Sequence, residues 1–401
     1  MKVAVSVMGR FHAFDLAGQL ERRGHLHQLV TSYPKFFPRR WGIPRGRISS
    51  VVSNELLRRG FARLPARLRG RGDPESALLD QYARVAARRL RSGADLLVAW
   101  SASALPALRR ARELGMATIV ERGSTHIAWQ TDLLHAEYAR FGLRPRAASP
   151  RVVARELAEY AEADAIAVPS RFARRTFVER GIPEERVLCL PYGVSLESFR
   201  PREGAEEDVF RVIHVGRIDL RKGCPYLLEA FHGLRLPRAE LWLVGPIAPE
   251  MEALRRRHAS PAIVFHGPQP QGELVRFYAR SSVFCLASLE EGMAMVIPQA
   301  MACGLPVIAT TNSGAEEAVR DGIEGWIVPV RDVESLQRRI LELYEDREKR
   351  LAMGRAALAR VRQGFSWDDY GDRVVAAYRG VLARRGAQAA EANVAPSPAA
   401  S

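Results

Sequence analysis

Short apolar runs alternate with helical stretches along this 401-residue chain, and the whole alternation occurs twice. Residues 2–8 (KVAVSVM) form a β-rich run that stops at Gly9. Phe14, Leu16, Ala17 and Leu20 then repeat at helical spacing as far as Gly24, and residues 26–31 read as a second strand. Strand, glycine turn, helix and strand make a β-α-β unit. Residues 95–100, 117–121, 165–169 and 187–190 continue the series. A second series begins after Pro201, with strands over 210–215, 241–244, 263–266, 283–286, 307–310 and 326–328. Apolar strands separated by helices predict parallel sheets covered on both faces. The expected fold class is α/β, with two Rossmann-like parallel-sheet halves facing a central cleft. Ligands of such sheets sit beyond the carboxyl ends of the strands.

Length and composition agree with two domains at roughly 150 residues each. Residues 1–195 are expected as an N-terminal Rossmann-like domain, and 196–365 as a C-terminal Rossmann-like domain. The polar segment 193–207 suits a linker. Residues 333–363 and 367–382 read as helical. Residues 366–385 are expected to form a C-terminal helix packing back toward the N-terminal domain, and 386–401 a disordered tail. Hydrophobic residues make up 47% of the chain, enough for a sizeable core. No run approaches the ~18 apolar residues of a membrane span. The start, MKVAVSVMGRFH, lacks a signal-peptide pattern, so a cytoplasmic protein is expected. The four cysteines, Cys189, Cys224, Cys285 and Cys303, have neither disulfide nor metal spacing. They are expected as buried thiols, with no metal site and no cofactor.

Sixty Lys and Arg against 45 Asp and Glu leave a net charge of +15, which favours anionic partners. Only Lys2, Lys35, Lys222 and Lys349 are lysines, so each carries more information than a single arginine. Residues 35–91 are dense in arginine. Leu57, Phe61, Leu64 and Leu68 repeat at helical spacing there, interrupted by Pro65. So do Leu78, Tyr82, Val85 and Leu90, with Arg84, Arg88 and Arg91 on another face. This segment is a candidate contact to an anionic membrane surface. The alternative is an ordinary surface helix in an arginine-rich chain. Aromatic residues are too sparse there for a nucleic-acid platform, and no nucleic-acid partner is expected.

Two stretches carry chemistry. In 212–223 (VIHVGRIDLRKG) a strand ends at Gly216, and Arg217 and Lys222 follow on the loop. Two cations beyond a strand end suit a diphosphate, the guanidinium as a planar fork and the ammonium as a point charge. In 288–319 (SLEEGMAMVIPQAMACGLPVIATTNSGAEEAV), Glu290 and Glu291 precede Gly292, a helix over 296–302 and Gly304. A glycine before a helix start lets backbone N–H groups approach a phosphate.

Together these stretches resemble the family 4 glycosyltransferases of the GT-B fold. The pattern G-R-x-x-x-x-K-G is complete at Gly216, Arg217, Lys222 and Gly223. A Glu, seven residues and a second acidic position, then A-M-A-x-G-x-P-V-I-A, run from Glu291 through Gln299 to Ala309. Weaker matches are Ser313, Gly314 and Glu317, a helix starting at Ser170, and the linker Tyr192-Gly193-Val194-Ser195. The resemblance covers most of 164–330 and is weaker over 1–160. Gln299 stands where the family has Glu, Met293-Ala294 where Phe-Gly is common, and one glycine where the first loop often has two.

The resemblance implies a transferase moving a sugar from a nucleotide-diphosphate-sugar to a glycan, lipid-linked or small-molecule acceptor, with retention at the anomeric carbon. Arg217 and Lys222 would hold the diphosphate and stabilise the leaving group. Glu291 would contact sugar hydroxyls. The amides of Gly292, Met293 and Ala294 would face the phosphates, and Gln299 the ribose. Gly9 and His12 would lie on the donor/acceptor loop, and His126 is the nearest match to a catalytic histidine of the first half. No D-x-D triplet occurs, so metal-independent transfer is expected. A nucleotide-sugar epimerase or phosphorylase of the same layout is the alternative enzyme, and a basic lipid-surface or nucleic-acid binder the non-enzymatic one.

Overall fold

A computed structural model describes residues 1–52, 74–201 and 209–394. The first sheet has seven strands: β1 (Val3–Val7), β2 (Leu26–Thr31), β3 (Ile48–Ser50), β4 (Leu96–Trp100), β5 (Ala117–Glu121), β6 (Ala165–Val168) and β7 (Val187–Cys189). Their order is β3-β2-β1-β4-β5-β6-β7, parallel throughout. The second sheet has six: β8 (Phe210–Val215), β9 (Ala239–Val244), β10 (Ile263–Gly267), β11 (Val283–Leu286), β12 (Val307–Thr310) and β13 (Gly325–Val328). These run β10-β9-β8-β11-β12-β13, also parallel. In each sheet the order reverses direction beside the first strand, β1 or β8. That is where an open α/β sheet forms its crevice.

The central strands explain why the alternation was legible. Every residue of β1, β4, β5 and β8 is buried. With helices on both faces, such strands need no polar alternation. Each strand expected from the sequence is present. Strand β3 was not expected: it lies in the arginine-rich segment, three residues long on the sheet edge. Of that segment's two periodic runs, Tyr82 belongs to the helix Pro74–Arg88, where it is fully buried and its hydroxyl donates to the Val30 carbonyl at 3.1 Å. The run from Leu57 to Leu68 lies outside the described residues.

Two further expectations are corrected. The helical stretch 333–363 divides at Asp346, which ends one helix (Val333–Glu345) and caps the next (Arg347–Arg362) by accepting from the Lys349 N–H at 2.9 Å. Residues 386–394, expected to be disordered, continue the last helix, Trp367–Val394. Alanine and glutamine are good helix formers, so a helix already nucleated by packing extends through them.

That last helix crosses back to the first half. Arg22 pairs with Asp368 at 2.7 Å and Arg23 with Asp372 at 2.7 Å. Arg373 donates to the Pro191 carbonyl at 2.9 Å, and the Val194 N–H to that of Phe365 at 2.7 Å, tying the helix to the linker. No helix among the described residues is long and apolar enough to cross a membrane.

Candidate functional site

The loops after β1, β4 and β5 face those after β8 and β11 across a cleft of about 950 Å³. One wall belongs to the second half. After β8 the chain turns through Gly216 and brings Arg217, Arg221 and Lys222 to the cleft together. Asp219 braces this loop. It accepts from the Lys222 N–H at 2.8 Å and pairs with Arg217 at 3.2 Å. The loop then closes against β11. Gly223 has φ +63°, and a Cβ there would lie 1.8 Å from the Ala287 carbonyl oxygen. Only glycine permits both the left-handed turn and that approach.

Glu291 and Lys222 form an ion pair on this wall, and the side chain of Arg217 is half exposed. Met293 and Ala294 also line the cleft. The two amides differ from expectation in one respect: Ala294 N–H donates to the Ser313 carbonyl at 3.1 Å rather than standing open. Gly292 lies at the seam between the halves, where a Cβ would meet the Gly123 carbonyl oxygen at 2.3 Å. Its own carbonyl accepts from the Ser170 hydroxyl, which also caps the helix Arg171–Val178. Gln299 is buried on the helix Val296–Ala302, and its Oε1 has no hydrogen-bond partner. It is not among the residues lining the cleft.

The cleft floor joins the halves through Glu290. This fully buried carboxylate accepts from Thr125 N–H at 3.1 Å, Thr125 Oγ1 at 2.7 Å, Ser124 Oγ and Gln130 Nε2 at 2.6 Å, and pairs with Arg221 at 2.7 Å. Burial pushes its carboxyl up. The Arg221 guanidinium and these donors override burial and hold it down to about 2. Gln130 in turn accepts from Arg122 at 3.0 Å, and Arg122 pairs with Glu156 at 3.3 Å.

The facing wall belongs to the first half. The loop after β1 is strained: Phe11, 67% exposed, has φ 42°, which a bulky residue seldom adopts. It follows Gly9 (φ +103°), whose N–H donates to Ser32 at 3.1 Å. His12 then enters the cleft with its ring 4.2 Å from that of Tyr192 and 5.0 Å from that of Trp100. Glu121, the last residue of β5, lies behind it at 3.0 Å.

His126 stands apart from this cleft. It is buried, caps the helix Ile127–Arg140 by accepting from the Ala128 N–H at 3.3 Å, and packs against Tyr160 and Phe177. Burial, with Arg180 and Arg122 nearby, lowers its imidazole to about 4. Of the two histidines the sequence offers, the structure brings His12 to the cleft. Arg217, Lys222, Glu291, Met293 and Ala294 meet there as well, while Gly9 supports the loop from behind. Arg221, Glu290, Gln130, Arg122 and Glu121 carried no assignment from the sequence. Arg221 falls on an unspecified position of its motif, in a chain where arginine is commonplace. Among the others, Arg122 meets Glu156 34 residues away, Glu121 meets His12 109 away and Gln130 meets Glu290 160 away. Among the described residues, no three His, Cys, Asp or Glu side chains group as a metal cage.

Residues 196–360 match the family model of glycosyl transferases group 1, and residues 10–198 that of Glycosyltransferase Family 4. The D-inositol 3-phosphate glycosyltransferase of Kribbella flavida is 31% identical over 221 residues, 50% of this chain and 52% of that protein. The matches span about half the length of such curated relatives. In fold, the chain is similar to sucrose-phosphate synthase from Thermosynechococcus elongatus, with a TM-score of 0.73 at 20% identity over 96% of this chain and 100% of that one. It is also similar to HepE of Anabaena in complex with UDP-glucose, with a TM-score of 0.69 at 16% identity over 95% and 100%.

Proposed function

Since the chain belongs to the family 4 glycosyltransferases of the GT-B fold, we propose that it moves a sugar from a nucleotide-diphosphate donor to a hydroxyl acceptor. The observation that carries this reading is the convergence of Arg217, Arg221 and Lys222 on one cleft wall. A departing diphosphate develops negative charge, and fixed cations in a cleft stabilise it. Each charge-assisted hydrogen bond contributes roughly 1.5–3 kcal/mol. Glu291, paired to Lys222, holds the ammonium in place and is the group nearest to hand for sugar hydroxyls.

The same cations supply the charge that other transferases take from a metal, so the transfer is read as metal-independent, and by family likeness as retaining. The acceptor enters from the first half. Phe36 is 68% exposed there, next to exposed Arg39 and Arg40, which supports an anionic lipid surface as the acceptor's setting. The test is calorimetry of the full chain with UDP, GDP and ADP and their hexose conjugates, with and without EDTA. Binding of at least one in the micromolar range, unchanged by EDTA, is expected. No heat from any of them would sink the reading; binding restored only by manganese would sink its metal-independent part. NMR of the product's anomeric signal decides retention.

A further inference from the structure

The loop after β1 is strained around a side chain that packs into no core. Phe11 is 67% exposed and belongs to none of the hydrophobic clusters of the described residues. Phe14, one turn on, is fully buried and meets Tyr33 and Trp41 edge-on. The backbone at Phe11 is left-handed, with φ 42°, where a bulky side chain is strained. Stability alone favours Gly or Asn at such a position. The ring nonetheless has a definite place. Its Cε2 lies 3.4 Å from where a Cβ on Gly9 would stand, so it folds back over that glycine. There it lines the cleft, on the wall that also carries Trp100 and Tyr192.

A second left-handed residue other than glycine lines the same wall. Ala102, two residues beyond β4, has φ 67°. Its N–H donates to the buried carboxylate of Glu159 at 2.8 Å, and its carbonyl accepts from Arg155 at 2.8 Å. Strain of this kind persists where the surroundings over-determine it, and it gathers at ligand sites. Ser101 and Ser103, on either side of Ala102, line the cleft, as does Ser149 at the start of the helix Pro150–Glu162. Among the described lining residues the one carboxylate is Glu291, on the opposite wall. The first half thus sets an exposed aromatic face among serines.

We propose that Phe11 is a stacking platform for the acceptor, and that the acceptor is a hydroxylated six-membered ring, a pyranose or a cyclitol. This deepens the transfer reading above and rests on it. Such a ring has two chemistries. Its axial C–H bonds make a face apolar, and its hydroxyls radiate from the edge. Laying the apolar face on Phe11 removes both from water, and the negative face of the aromatic ring attracts the C–H groups. The edge hydroxyls then meet serines, which both donate and accept. An acyclic polyol has the hydroxyls without the face. A fatty chain has the apolar surface and leaves the serines unpaired. The left-handed turn at Phe11 keeps its ring in the cleft instead of beside Phe14.

The test uses the full chain with UDP-glucose and GDP-mannose as donors. Methyl α-glucoside, methyl α-mannoside and myo-inositol serve as ring acceptors, and glycerol as the acyclic one. Wild type is expected to transfer to at least one ring with a lower KM than to glycerol. Phe11→Asn keeps the left-handed turn, which Asn tolerates, and removes the aromatic face. It should raise the KM of that acceptor about tenfold, the worth of one well-placed aromatic contact. It should change kcat much less, as expected for binding shared by ground and transition states. Donor affinity by calorimetry should be unchanged, and the melting temperature should not fall, because strain is relieved and no core contact is lost. Phe11→Trp should keep most of the acceptor affinity that Phe11→Asn loses, whereas Phe11→Leu, apolar without a π face, should keep little. A merely structural role for Phe11 would instead lower the melting temperature and disturb kcat and KM together. That result, an unchanged acceptor KM in Phe11→Asn, or equal service from Phe11→Leu and Phe11→Trp would overturn the platform, and donor binding would leave the transfer reading standing. If donors bind and no ring is a better acceptor than glycerol, the acceptor class is overturned. If wild type binds neither these nor any other nucleotide sugar, the transfer reading falls and takes the platform with it.

Discussion

The cleft wall from the second half presents three cations on one loop, whereas the wall from the first half presents the rings of Phe11, Trp100 and Tyr192 among serines and Arg122, with a single histidine backed by a carboxylate. On the proposed reading the difference follows from what each wall would hold. A diphosphate is the same in every nucleotide-diphosphate sugar, so a short local pattern would suffice: Gly216 to turn, Arg217 and Lys222 to bind, Gly223 to let the loop close on Ala287. An acceptor would have no such fixed chemistry, and the opposite wall draws on Phe11, His12, Trp100 and Tyr192, with Glu121 behind His12, spread over about 180 residues. Glu290 ties the two together, since it takes its donors from one half and its cation from the other.

The largest expected effect tests the cationic wall. Arg217→Ala and Lys222→Ala should each lower turnover about 10²–10³-fold, the range for removing one donor to developing charge. Rates within twofold of wild type in both would break the contrast between the walls.

The seam comes next. Glu290→Ala removes the closer carboxylate of Arg221, which is about a third exposed and keeps Glu291 at 3.9 Å, and leaves buried donors unpaired at a cost of about 1–3 kcal/mol, to be read from urea unfolding. Its pH dependence has a definite sign. The folded carboxyl sits at about 2 against an ordinary 4.5, so its stabilisation is complete above that ordinary value and is lost as the pH falls from there toward 2. Glu290→Gln should therefore lose less stability than wild type over that acid range. Parallel acid-unfolding curves for the two would count against the assignment.

The smallest effect belongs to the outer edge of the first half. Phe36→Ser should reduce co-sedimentation with phosphatidylglycerol vesicles several-fold at low salt, and leave phosphatidylcholine vesicles unaffected, because exposed apolar area and nearby arginine charge act together. Equal sedimentation of both proteins would remove the lipid-surface element of the proposal.

Much of the second half was readable because its signals are local. Strand periodicity, the two glycines of the β8 loop and the run from Glu291 to Ala309 sit within a few residues of what they govern. The first half was read less well at its site. His126 has a histidine's identity in a plausible place, yet its ring turns into the space between Tyr160 and Phe177, where burial keeps it neutral. His12 has no motif around it, and its standing comes from Glu121, 109 residues later. Residues 386–394 were misjudged because composition reports the absence of a core pattern, not the helix that already anchors them through Asp368 and Asp372.

The amino-acid sequence by itself determined the two parallel sheets and the cationic loop, since hydrophobic period and backbone permissiveness are properties of neighbouring residues. The tertiary structure alone decided which side chains share the cleft, that Glu290 stitches its floor, and that His12 rather than His126 lines it. Those outcomes depend on burial and on partners far apart in the chain, and neither is written in any short stretch of it.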